Sequence, residues 1–299
     1  MNTYDVYLHG MILKTNSFLL KDKYPIADTY GEIREKYELP GGETGTCATV
    51  LNSLGCTVKM DGNYMGAKTY PLIKSFYQDK KVDISALTVE EGYDGLEDYV
   101  IIDQATRTPF GMFQGFYGDT VERWNQPNRE DIKAAAVVGL DPFFRTASEE
   151  VAAYCIEEGK KYVTIDCPYD SFLHQNASIT VLSGEFFGYT YQNEDKEELF
   201  ERYLENSQGL VIFTRGSKPL WYGRKTTGKC SLEPYQVEVK STLGAGDTFK
   251  AACIYALLKG MSDIETVKFA SATAAVACTR FPLPLNPPQL EEVIALMNS

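Results

Sequence analysis

Nine consecutive residues, Ser241-Thr242-Leu243-Gly244-Ala245-Gly246-Asp247-Thr248-Phe249, set a small-residue turn directly before an acid that opens an apolar helix. A helix start leaves backbone N–H groups without internal partners and carries the positive end of the helix dipole. Two glycines let the backbone curl close to an anion, so Gly244, Ala245 and Gly246 can cradle a phosphoryl group. Asp247 would then stand beside that anion, where a carboxylate can take the proton of an attacking hydroxyl. The same pattern also serves as a plain helix cap after a tight turn. On its own the stretch leaves both readings open.

The elements that would carry this turn alternate along most of the chain. Strand-like runs at 4–9, 56–60, 82–84, 135–140, 162–166, 179–182 and 209–214 interleave with helical patterns at 44–54, 70–79, 148–158 and 194–205. A helix over 247–259 stops at Gly260, and Ser262-Asp263-Ile264-Glu265 forms a capping box for the next one, to about Cys278. Residues 220–222 and 236–239 read as antiparallel additions at a sheet edge. Such alternation predicts an α/β protein with a largely parallel sheet covered on both faces. Two segments, 11–39 and 92–118, break the rhythm with aromatic, β-like residues and no helix between strands. They read as a small β layer, either a lid over a cleft or extra strands of the sheet. No linker, repeat or low-complexity tract is visible, so 1–299 is expected to be one domain with that β layer inserted.

Bulk properties narrow the partners. The chain has 299 residues, and its 44% hydrophobic and 23% charged content is ordinary for a globular protein. A net charge of −12 argues against nucleic acid, because no basic surplus neutralises phosphates. Seven cysteines without a C-x-x-C pair lie mostly in apolar runs and read as free thiols. His9 and His174 are too few for a histidine-based metal site. No basic n-region, signal-like segment or membrane span is seen, so the expected setting is cytoplasmic, without a membrane partner.

Together these pieces resemble the ribokinase-like (PfkB-type) carbohydrate kinases, over nearly the whole chain. The C-terminal signature of that family is close to D-T-x-G-A-G-D-x-F and meets 241–249 here. A Gly-Gly pair opening a helix that ends in Leu-Gly matches Gly41-Gly42 through Leu54-Gly55, and Thr214-Arg215-Gly216 resembles its late Thr-x-Gly. The resemblance implies a three-layer αβα Rossmann-like ribokinase fold with a β-sheet lid. It implies transfer of the ATP γ-phosphate to a hydroxymethyl group of a sugar-like acceptor, with Mg²⁺. Asp247 would be the general base and the Gly244–Gly246 turn the anion hole. Thr214 and Gly216 would meet the nucleotide phosphates, and Ser271 and Ala275 the adenine. Ser183 and Glu185 resemble an N-x-x-E stretch that organises Mg²⁺ through water, although here it is a residue short and has Ser for Asn. Gly41, Gly42, Thr46, Thr15 and Arg107 match acceptor-side positions.

Departures from the family pattern bear on the acceptor. Thr15 (or Asn16) stands where an Asp often binds sugar hydroxyls, and Thr46 where Asn is usual. A carboxylate and an amide thus give way to single hydroxyls, which leaves fewer charge-assisted contacts for a polyol. Arg107 could touch substrate or lie solvated on a strand. Ser241 for Asp, and Pro282 for a Gly, argue against K⁺ dependence. Lys250 could add a cation at the transferring group or lie on the solvent side of its helix. Alternatives are a nucleoside kinase of the same family, with Phe110, Phe113, Phe116 or Tyr117 stacking on a base, and a non-catalytic sugar or nucleotide sensor. Lid strands of the family often pair between subunits, which allows a homodimer.

Overall fold

The computed structural model describes residues 3–103, 106–118 and 121–299. Residues 104 and 105 of the 92–118 segment, and the first two residues of the chain, lie outside that description. The strands are β1 (Tyr4–Gly10), β2 (Leu13–Leu20), β3 (Ile33–Gly41), β4 (Val58–Gly62), β5 (Val82–Asp83), β6 (Glu97–Ile102), β7 (Arg107–Gly111), β8 (Ala135–Leu140), β9 (Lys161–Ile165), β10 (Ile179–Leu182), β11 (Leu210–Phe213), β12 (Leu220–Arg224) and β13 (Gly228–Leu232). Nine build one sheet in the order β13-β12-β11-β10-β9-β8-β1-β4-β5. From β11 to β5 all neighbours are parallel, and the β12-β13 hairpin closes one edge antiparallel.

Both faces of this sheet are covered, which is why its strands are apolar on both sides. Side chains alternate across a strand, so Val6 and Leu8 of β1 join one core while Tyr7 joins the other. On the first face pack the helices Gly42–Ser53, Ala245–Lys259 and Asp263–Cys278, all rich in small and apolar residues. The second face carries Arg129–Ala134 and Thr146–Glu157, with Lys196–Glu205 beyond them over β11. Close packing fixes one helix especially well. A Cβ at Gly139 of β8 would lie 2.6 Å from Ile254 Cδ1 and 2.7 Å from Leu8 Cδ2. Glycine there lets the Ala245–Lys259 helix settle directly on the sheet.

The 11–39 and 92–118 segments form a separate four-stranded sheet, β3-β2-β6-β7, rather than extending the large one. Within it β2 pairs β3 antiparallel and β6 parallel, with Thr15 opposite Asp98. A short helix, Phe113–Gly118, follows β7. The capping box at Ser262 and Glu265 is formed, with the Ser262 N–H donating to Glu265 Oε2 at 2.8 Å.

Some boundaries differ from the sequence reading. The helix expected over 44–54 starts two residues earlier at Gly42, and the one over 247–259 starts at Ala245, so both glycine turns lie at true helix starts. The 236–239 strand is absent. Gly228, with φ +68°, turns the chain straight back after Arg224, so β13 takes the edge position. Once that edge is filled, residues after Pro234 have no partner strand.

Candidate active site

Two helices start within reach of each other because two glycines allow abrupt turns. Gly42 has φ +78°, and a Cβ there would fall 2.5 Å from Met11 O. Gly244 has φ +77°, and its Cβ would meet Leu283 Cδ2 at 2.8 Å and Thr46 Cγ2 at 3.3 Å. The helices then touch at their first turns, where Cys47 Sγ donates to the Asp247 carbonyl at 3.3 Å. Gly42→Ala is expected to lower stability by ~1–3 kcal/mol, from left-handed strain and the Met11 clash together. A urea midpoint unchanged from wild type would show that the turn tolerates a side chain.

Between these helix starts and the four-stranded sheet lies a cavity of about 680 Å³. Asp247, Gly244, Gly246, Gly41, Gly42, Thr46, Thr15, Arg107, Ser183 and Glu185 all line it. Residues far apart in sequence are thus gathered on one space. Ala245, Thr214, Gly216, Ser271 and Ala275 are not among its lining residues. Thr214 stands close by, since Thr214 Oγ1 donates to Leu182 O at 3.2 Å and a Cβ on Gly184 would lie 3.4 Å from Thr214 O. Ser271 is buried and Ala275 half-buried on the Asp263–Cys278 helix. Of the four aromatics that could stack on a base, only Phe113 and Tyr117 line the cavity. Phe116 instead packs on Trp124 at 5.4 Å between ring centroids.

Backbone donors at the second turn sit slightly differently from the expectation. The Ala245 N–H is already taken by Thr242 O at 3.2 Å, and the first helical bond is Thr248 N to Gly244 O at 2.9 Å. Among the described residues Gly244, Gly246 and Asp247 keep N–H groups without a protein acceptor, and Gly246 opens on clear space. That arrangement suits an anion.

The electrostatics center on Asp247. Burial pushes its carboxyl up to about 6, and the negative Asp141 adds to the rise. Lys250, Arg107 and a hydrogen bond from Thr46 pull the other way. Glu43, beside it, is held well above the usual carboxylate range by burial and by the charges of Asp247 and Asp141. Asp166 is pushed to about 6 by burial, although it accepts from Ser183 N at 2.6 Å and Ser183 Oγ at 2.8 Å. Arg107 reaches across from β7 to Glu185 at 3.1 Å.

Lys250 takes neither of the positions the sequence offered. It is 1% exposed and forms an ion pair with Asp141, itself wholly buried. Asp141 also accepts from Met11 N at 2.8 Å and Thr44 Oγ1 at 3.0 Å. One carboxylate therefore ties the end of β1, the Gly42–Ser53 helix and the Asp247 helix together. Sequence reading passed over Asp141, Glu43, Asp98 and Asp166. For Asp141 and Asp166 the available signal was an acid immediately after a buried parallel strand, where α/β sheets place their sites. Asp98 carried no local signal, because only the folded register brings it to the cavity, whereas Glu43 directly follows the Gly41-Gly42 pair.

Comparison with known proteins agrees with this geometry. The model of the pfkB family carbohydrate kinases matches residues 24–283. A 5-dehydro-2-deoxygluconokinase from Clostridium beijerinckii is 21% identical over 278 residues, covering 85% of this chain and 82% of that protein. A ribokinase-family structure from Agrobacterium tumefaciens superposes with a TM-score of 0.84 at 22% identity, over 98% of this chain and 97% of the other. Arabidopsis thaliana ribokinase, solved with ribose and ATP, gives a TM-score of 0.78 at 16% identity over 99% of both chains. With the family model spanning most of its length and both glycine turns meeting at one cavity, the chain belongs to the pfkB family of carbohydrate kinases, phosphotransferases with an alcohol acceptor.

Proposed function

We propose that this kinase transfers the γ-phosphoryl group of ATP to a hydroxymethyl group of a sugar-like acceptor, with Asp247 as general base. The observation that carries the reading is the meeting, at one cavity floor, of the Asp247 carboxylate with the unpaired N–H groups of Gly244, Gly246 and Asp247. Asp247 takes the proton of the acceptor hydroxyl as its oxygen bonds to the γ-phosphorus. The bond from that phosphorus to the bridging oxygen breaks, and ADP leaves with the electron pair. Little covalent help is needed in such a transfer, so positioning and charge stabilisation carry most of the rate.

The cavity lining supports the remaining acceptor-side roles and those of Ser183 and Glu185, while those of Thr214, Gly216, Ser271 and Ala275 rest on the family resemblance. Gly41, Gly42, Thr15, Thr46 and Arg107 face the acceptor side, while Ser183, Glu185, Thr214, Gly216, Ser271 and Ala275 serve the nucleotide side. Glu185 and Asp166 offer hard oxygen donors of the kind Mg²⁺ takes, one or two carboxylates with water completing the shell. Mg²⁺ on the ATP phosphates would neutralise charge that Asp247 opposes. Ser241 is neutral and its Oγ accepts from Leu243 N at 3.2 Å, so the proposal includes no K⁺. The four-stranded sheet serves as the lid, and its exposed Ile33, Tyr99 and Phe110 suit a second copy of the chain.

Acidic pH tests the base directly. With its carboxyl at about 6, Asp247 is mostly ionised at pH 7.5 and mostly protonated at pH 5. Only the ionised form accepts a proton, so kcat/KM is expected to fall roughly tenfold per unit below the turning point near pH 6. A profile flat from pH 8 to pH 5 would remove Asp247 from the role. The Clostridium relative is named for a gluconate, which makes a sugar acid the obvious acceptor class to weigh.

A further inference from the structure

On the acceptor side the cavity is lined by a carboxylate, Asp98, one oxygen of which has no hydrogen-bond partner among the described residues. Asp98, on β6, faces Thr15 across the β2–β6 pairing. Thr15 lies beside the Asp98 carboxylate and favours its charged form, while Asp98 Oδ1 is buried without a partner. Burial pushes this carboxyl up to about 6 against the pull of Thr15. The acid that position 15 lacks is therefore supplied by the neighbouring strand. A buried carboxylate with an empty oxygen is costly, and a charge-assisted donor on the ligand relieves that cost.

The sign of the missing partner follows from the rest of the wall. Glu43, Asp166, Glu185 and Asp247 also line the cavity, and Arg107 is the one cation among its described lining residues. Arg107 is engaged by Glu185, and Lys250 is turned away into its pair with Asp141. A carboxylate or phosphate on the acceptor would meet Asp98 with only Arg107, already shared with Glu185, to receive it. A protonated amine would meet the opposite.

We propose that Asp98 recognises an ammonium group on the acceptor, so that this kinase phosphorylates an amino-substituted sugar rather than a sugar acid or a sugar phosphate. The inference rests on the kinase reading above. Apolar wall residues such as Leu13, Leu39 and Val100 line the same cavity. A site built to pair a polar group discriminates strongly against analogues that lack it.

The test compares matched acceptors with ATP and Mg²⁺: 1-amino-1-deoxyfructose against fructose, glucosamine against glucose, with gluconate and fructose 1-phosphate as the anionic pair. In at least one matched pair the amine is expected to lead by ~100-fold in kcat/KM, and the anions to be worst. Asp98→Asn is expected to collapse that ratio to a few-fold, while Asp98→Glu, which keeps the charge, retains most of it. Preference for a neutral or anionic acceptor in the wild-type protein, or an unchanged ratio in Asp98→Asn, would overturn the proposal. Calorimetric binding of the same acceptors separates this proposal from the kinase reading. Amine-selective binding without turnover upholds the Asp98 assignment and strikes the kinase reading. Turnover without amine preference does the reverse, and binding of none of the acceptors overturns the Asp98 assignment.

Discussion

Asp247→Asn is expected to lower kcat by roughly 10²–10⁴-fold, the range a general base contributes, while ATP binds as tightly as before or more tightly. Asparagine keeps the size of the side chain and its place beside Thr46, but cannot take a proton. It also removes a negative charge next to the unpaired N–H groups of Gly244 and Gly246, which is why nucleotide affinity should not fall. Stability moves in the same favourable direction. The folded-state carboxyl lies near 6, above the value of an exposed Asp. A group raised in this way contributes stability at low pH and loses it as pH climbs through 6, so above that point the buried charge is a cost. The neutral variant avoids the cost, and its melting temperature at pH 8 should equal or exceed that of wild type. Turnover within a few-fold of wild type would end the assignment of Asp247.

Much of the framework could be read from local pattern. Buried parallel strands such as β8 are short apolar runs, and their helices repeat apolar residues at helical spacing. Gly244-Ala245-Gly246-Asp247 and Gly41-Gly42 were legible because each needs specific residue types at adjacent positions, and the fold places both at helix starts. What stayed hidden depends on contacts between distant segments. Asp98 is an unremarkable acid on a strand until β6 pairs with β2 and sets it against Thr15. Lys250 is three residues beyond Asp247 on an apolar helix, and no helical rule says that an acid 109 residues earlier neutralises it. The edge hairpin failed for a related reason. Residues 236–239 have fair strand character, but Gly228 gives the edge to β13 first.

These hidden acids change what the altered substrate positions mean. Thr15 and Thr46, read alone, describe an acceptor pocket stripped of charged contacts. In the folded protein the Thr46 hydroxyl favours the charged form of Asp247 and the Thr15 hydroxyl that of Asp98. The cavity is more strongly acidic than the sequence pattern implied.

The Asp141–Lys250 pair offers the largest expected effect on stability. Both groups are buried, and Asp141 also holds Met11 N and Thr44 Oγ1. Burial alone would lower the Lys250 pKa, yet the charge and hydrogen bond of Asp141 keep it raised. Lys250→Met keeps the length of the stem but strands the Asp141 carboxylate, which is expected to cost ~3–5 kcal/mol in urea unfolding. Asp141→Asn strands the ammonium and should cost a similar amount, whereas the double variant recovers much of the loss because neither charge is left alone. Activity separates this from a merely structural role. Asp141 raises the Asp247 carboxyl and Lys250 lowers it, so the acid limb of kcat/KM should move up in Lys250→Met and down in Asp141→Asn. Equal shifts of the same sign, or none, would show that the pair holds the helices together without setting the charge state of the base.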